Sequence, residues 1–195
     1  MSAIHRDLCV QPRKRRSVGP ANGILYPLDL LYAQAGIACP AVKRTTADRI
    51  PRPYDKLLVH ENEMTSTLER HFGGRVAVRV LSTCTKGRSY FRRVLLVMES
   101  SGRPVAMGAV RMTLDAFSAR IRARILRQRE PLGRILRDAG IDYGSHPTAF
   151  FQVTPNSDLL GVFWMPEPLT LYGRQTRMTL GEAKIGDIVE LLPLV

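Results

Sequence analysis

The stretch Tyr90-Phe91-Arg92-Arg93-Val94-Leu95-Leu96-Val97-Met98-Glu99-Ser100-Ser101-Gly102 decides the fold. Tyr90 to Glu99 reads as a strand, and Ser100-Ser101-Gly102 as the turn of a hairpin. Val105 to Met112 returns as the next strand. Just upstream, Arg75 to Thr83 alternates Val76, Val78 and Val80 with Arg75, Ala77 and Arg79, the two-residue period of a strand. Farther along, Leu169 to Leu180 and Lys184 to Leu192 flank the turn Gly181-Glu182-Ala183 and read as a second hairpin.

Helical periods surround these strands. Leu25 to Ile37 carries Leu28, Leu31 and Ala35 at helical intervals. Thr65 caps a short helix that buries Leu68 and Phe72, and Gly73-Gly74 ends it. Leu114, Phe117, Ile121 and Ile125 share one face of an arginine-rich helix. Pro131, suited to a first helical turn, opens another helix to Ala139, closed by Gly140. Residues 38–53 and 141–157 read as loops, and Leu159 to Met165 as a strand. Hairpin-linked strands interrupted by helices indicate an α+β domain with a mostly antiparallel sheet. Its expected extent is residues 25–195, behind a basic, flexible leader over residues 1–24.

Composition narrows the class. The chain has 195 residues, 45% hydrophobic and 24% charged, enough for one packed core. No apolar run approaches the roughly 18 residues of a membrane-spanning helix. Met1 to Gln11 lacks the apolar core of a secretory signal. Cys9, Cys39 and Cys84 are three in number and far apart, which argues against a disulfide framework. A soluble cytoplasmic protein is the expectation. The net charge of +12 invites a nucleic-acid reading. Residues 1–16 hold +4 of it and residues 119–137 hold +6, so the rest is nearly balanced. The second stretch is one face of an amphipathic helix, and a solvated face explains it without phosphate contacts. No helix-turn-helix or RNA-binding motif supports nucleic acid as the partner. His5, His60, His71 and His146 show no metal-ligand spacing, and no phosphate loop or nucleophile elbow occurs. Trp164 reads as a core or lid anchor.

Two strands carry charges that clash with their neighbours. Glu190 shares a face with Ile188 and Leu192, while Val189 and Leu191 take the other. It is either buried, facing an internal cavity, or at a strand end that reaches water. Arg92 shares a face with Tyr90, Val94 and Leu96, and Arg93 with Phe91, Leu95 and Val97. One arginine therefore points among apolar side chains. A guanidinium facing a cavity is a natural clamp for a carboxylate. The alternative is a structural ion pair, for instance between Arg92 and Glu190.

Four segments in order resemble the chorismate pyruvate-lyase family with its divergent bacterial relatives. They are Glu63-Met64-Thr65 with Leu68-Glu69; Tyr90 to Leu96; Pro131-Leu132-Gly133-Arg134-Ile135-Leu136; and Leu171 to Thr176 followed by Ile188-Val189-Glu190-Leu191-Leu192-Pro193. The resemblance covers about residues 55–195. It implies an antiparallel sheet with helices packed on one side and an internal ligand cavity, the chorismate lyase-like fold. It implies a cofactor-independent carbon–oxygen lyase that cleaves chorismate to 4-hydroxybenzoate and pyruvate, with no metal. Arg92 and Glu190 would be its catalytic residues. Substrate would meet Arg92, Glu190 and the main-chain N–H groups of Met64 and Leu132. Arg174 is a secondary candidate for the second carboxylate. Glu190 would act as a general acid toward the departing enolpyruvyl oxygen or orient the substrate hydroxyl. The competing expectation is a non-catalytic module that binds a small aromatic carboxylate on the same fold.

Overall fold

The computed structural model describes residues 23–193. The expected leader therefore lies, through residue 22, outside the described residues. Among these, six helices and seven strands occur, apart from two short 3₁₀ turns. The chain runs α1 (Leu28–Ala35), β1 (Ala41–Thr45), α2 (Tyr54–Leu58), α3 (Met64–Phe72), β2 (Val76–Lys86), β3 (Ser89–Met98) and β4 (Pro104–Thr113). It continues through α4 (Ala119–Arg127), α5 (Leu132–Asp138), β5 (Gly144–Thr154), α6 (Ser157–Val162), β6 (Leu171–Leu180) and β7 (Ala183–Leu192).

All seven strands form one sheet in the order β1-β5-β6-β7-β4-β3-β2. Every neighbouring pair is antiparallel. The fold is the expected α+β class. Helices α2 to α5 pack on one side of the sheet. Their Tyr54, Leu57, Leu58, Met64 and Leu68 meet Val94, Leu96 and Leu192. Ile125, Ile135 and Leu136 meet Tyr90, Val110 and Met178. The opposite face is also covered: Leu28, Leu31 and Tyr32 of α1, with Leu159 of α6, pack on Phe91, Leu95, Met107, Val189 and Leu191. Burial on both faces explains why β3 reads as a continuous apolar run.

The glycine and proline cues at helix ends hold, whereas Thr65 does not cap: α3 begins one residue earlier, at Met64, with Glu63 as its cap residue and no side-chain cap bond. Gly36 and Gly73 adopt φ of +69° and +66°, the left-handed conformation that closes α1 and α3. Pro131 sits one residue before α5, as its cap. Arg134 ties the helical layer to the sheet, donating to Glu69 and, at 2.9 Å, to the Val76 carbonyl.

Four segments depart from expectation. Leu114 and Phe117 precede the arginine-rich helix, because Leu114–Ala116 forms a 3₁₀ turn, Phe117 is extended and α4 begins only at Ala119. Residues 38–53 include β1, an exposed five-residue edge strand paired with β5. Residues 141–157 include the eleven-residue strand β5, where Gly144 and Pro147 suggest loop. A register shift between Pro147 and Ala149 accommodates the proline, which cannot donate to the ladder. Leu159 to Met165 is not a strand; α6 occupies Ser157–Val162, and the Asn156 side chain caps it by accepting from Leu159 N at 2.9 Å. Trp164 follows α6 at φ +56° and is 60% exposed, so it anchors no core. No helix among the described residues is long and apolar enough to cross a membrane.

Candidate functional site

Between the sheet and helices α3 and α5 lies a mostly apolar cavity. Val94, Leu96, Ala106, Val110, Met178 and Ile188 give it apolar walls. The floor comes from strand register. Val94, Gly108 and Glu190 are successive cross-strand neighbours on β3, β4 and β7, and Gly108 leaves open space between the other two. Arg92, opposite Val110, belongs to the next row on the same face.

Arg92 is 1% exposed and is the one cationic residue among the described residues lining the cavity. Its Nε and Nη1 are buried without a hydrogen-bond partner. Burial pulls its pKa down, against an opposing influence from the Tyr90 hydroxyl. A desolvated cation without a counter-charge is costly to keep. An anion entering the cavity would complete it with two donors in a planar fork.

The adjacent arginine has the opposite fate. Arg93 points to the other face and grips Asp158 of α6 with both terminal nitrogens, at 2.9 and 3.0 Å. It also lies 5.0 Å over the Tyr32 ring of α1, whose hydroxyl donates to Asp158 at 2.7 Å. Register thus separates the two: Arg92 is the cavity cation and Arg93 a structural ion pair.

Glu190 is buried, 7% exposed, and lines the cavity. Its partner is Arg174, its cross-strand neighbour on β6, and not Arg92. Arg174 Nε donates to Glu190 Oε2 at 2.5 Å. Its Nη1 donates to the carbonyls of Leu58 and His60 at 3.0 and 2.7 Å, and meets His60 Nδ1 at 3.3 Å. Arg174 is 1% exposed and does not line the cavity. Its donors hold the segment between α2 and α3, so it is not placed to receive a second carboxylate. His60 Nε2 donates to the Leu57 carbonyl at 2.9 Å, leaving Nδ1 as an acceptor toward Arg174. Burial, then the positive charge of Arg174, lowers the His60 pKa.

Met64 and Leu132, the first residues of α3 and α5, both line the cavity. Their positions bring two helix starts to its mouth, where backbone N–H groups are without intrahelical acceptors. Sequence reasoning missed two further polar walls. Tyr143, just before β5, lines the cavity; burial raises its pKa, helped by the negative charges of Glu63 and Glu190. Glu63, the cap residue of α3, lines it as well. Glu63 Oε2 accepts from Arg137 Nη1 at 2.8 Å, while Oε1 is buried without a partner. No local sequence signal could have singled it out, because its neighbours Gly133 and Arg137 lie some seventy residues away in the chain. Among the described residues no three His, Cys, Asp or Glu side chains gather as a metal site would need.

No protein-family model matches the chain, and no curated protein matches it by sequence. Solved structures do. PhnF from Mycobacterium smegmatis is 9% identical, with a TM-score of 0.54; the match covers 69% of this chain and 64% of PhnF, so the chain spans under two thirds of that protein. The gene product SA0254 from Staphylococcus aureus is 6% identical, with a TM-score of 0.50 over 70% of this chain and 90% of that one. The C-terminal domain of the histidine utilization repressor from Pseudomonas syringae aligns at 11% identity and TM-score 0.41, over 61% and 92%. The expectation of a carbon–oxygen lyase cleaving chorismate is corrected: where the descriptions of the matched structures state a role, it is that of a transcriptional regulator or its ligand-binding domain, and none of them is described as a lyase. Of the Glu190 carboxylate, Oε2 is engaged by Arg174. A dianion such as chorismate would also bring two negative groups to a cavity lined by one cation and two carboxylates. What the similar structures share with this chain is the chorismate lyase-like fold.

Proposed function

We propose that the chain binds a small, mostly apolar molecule carrying one anionic group, and holds it without transforming it. The observation that carries this reading is the Arg92 guanidinium, buried in an apolar cavity with Nε and Nη1 unpartnered. A carboxylate there satisfies both donors and supplies the missing counter-charge. The Arg174–Glu190 pair serves as a fixed polar end to the cavity. Arg92 and Glu190 stand on strands separated by β4 and offset by one two-residue step along them, so a ligand between them meets both. A non-catalytic binder of small aromatic carboxylates fits the apolar lining and the charge of the site.

Calorimetric titration of the full chain with benzoate and 4-hydroxybenzoate tests the reading. Saturable binding is expected, with the ligand recovered unchanged by mass spectrometry. In Arg92→Gln it should weaken by at least about tenfold, the loss of one charge-assisted bidentate contact. Equal binding in the variant, or no binding to the wild-type chain, overturns the reading.

A further inference from the structure

Arg92 is not the only group in the cavity wall left incomplete. Glu63 Oε1 is buried and unpartnered too, and carries the opposite demand, since a carboxylate oxygen only accepts. The other oxygen, Oε2, is held at 2.8 Å by Arg137, whose side chain is 45% exposed at the rim. The carboxylate is thus anchored at one oxygen and unpartnered at the other. It reaches the cavity by passing over Gly133: a β-carbon on residue 133 would overlap the Glu63 carboxyl group. The glycine keeps the approach clear, and the anchor keeps the carboxylate in place.

An unsatisfied buried acceptor is destabilising, and more so when charged. The same oxygen discriminates among ligands. A ligand with an N–H or O–H aimed at it removes the penalty. One without a donor leaves the penalty in place, and one with a second anion adds repulsion at short range in a poorly solvated space.

We propose, resting on the anion-binding reading above, that Glu63 is the specificity-determining residue of the cavity. It admits ligands whose anionic group, held at Arg92, is accompanied by a hydrogen-bond donor, and rejects dianions. The ligand class is therefore hydroxy or amino derivatives of small, largely apolar monocarboxylates.

Three probes of similar size separate the contributions: 4-(hydroxymethyl)benzoate with a donor, 4-ethylbenzoate without one, and terephthalate with a second carboxylate. Their 3-substituted isomers cover the other approach angle. Calorimetry on the full chain should rank them in that order, in the better-fitting series, with about tenfold or more between first and second. Glu63→Gln replaces the oxygen's charge with a neutral amide that also donates, so terephthalate should gain relative to 4-ethylbenzoate. Asp158→Ala breaks an ion pair on the opposite face of the sheet, away from the cavity, so it should keep the wild-type ranking and controls for structural damage. Terephthalate binding as tightly as the hydroxymethyl probe, or an unchanged ranking in Glu63→Gln, overturns the role of Glu63 while the anion-binding reading stands. Binding that is insensitive to Arg92→Gln, or absent for all probes, overturns both.

Discussion

Arg92 and Arg93 are neighbours in sequence and opposites in the fold. Both lie on β3, both are buried, and each points to a different face. Arg93 joins α1 and α6 through Tyr32 and Asp158, so its charge is matched where it stands. Arg92 has no acid against it and opens on empty space. Arg93 Nε is unpartnered, as Arg92 Nε is, but only Arg93 meets a carboxylate. A buried charge matched by a counter-charge reports on how the chain is held together. One without it reports on what the chain is built to meet. Burial alone does not separate the two; their partners do.

The largest effect should come from breaking the satisfied pair. Asp158→Ala leaves Arg93 buried and uncompensated, and should cost about 3 kcal/mol in chemical denaturation. The double change Arg93→Met with Asp158→Leu removes both charges and should recover much of that loss. A single variant as stable as the wild type would erase the distinction between the arginines. The matching change on the cavity side, Arg92→Met, should leave stability within about 1 kcal/mol of wild type or raise it, because it removes a desolvated charge. A loss as large as that of Asp158→Ala would mean that Arg92 has a structural role after all.

The smallest effect concerns His60, under the Arg174 guanidinium. Its pKa is lowered in the folded chain, so the unfolded chain takes up the proton first as pH falls. The stability that neutral His60 contributes is complete above the ordinary value of 6.5 and declines as pH drops below it. The charged groups facing it are Arg174 and Glu190. His60→Gln should flatten the dependence of melting temperature on pH between about 6.5 and 5. An unchanged slope would assign that dependence to other groups.

Much of the sheet was legible because its central strands are written in alternation and apolar runs. The β3–β4 and β6–β7 hairpins follow directly from Ser100-Ser101-Gly102 and Gly181-Glu182-Ala183. The edge was harder. β1 is exposed along most of its length, so Ala41 to Thr45 carries no hydrophobic signature. β5 hides behind Pro147, tolerated only because the register slips beside it. α6 is too short for its period to show, although Asn156 marks its start. The site was half legible for a related reason. Parity showed that one of two arginines faces apolar neighbours, and register was needed to say which. Glu190 stood out in its strand, but its partner Arg174 became visible only once β6 lay beside β7. Glu63 stayed hidden because its significance lies in an oxygen left without a donor, which no pattern of residue types expresses.

Gly108 carries a last consequence. It sits on the cavity floor between Val94 and Glu190, with negative φ and no turn to make. A methyl group added there would meet Val94 Cγ2 at 3.5 Å, an ordinary contact. The strand can therefore carry alanine without strain, and the methyl would take its volume from the cavity. Capacity and folding are separately adjustable in this chain: the largest admissible ligand can be trimmed by one carbon at position 108, with the charges that recognise it left untouched.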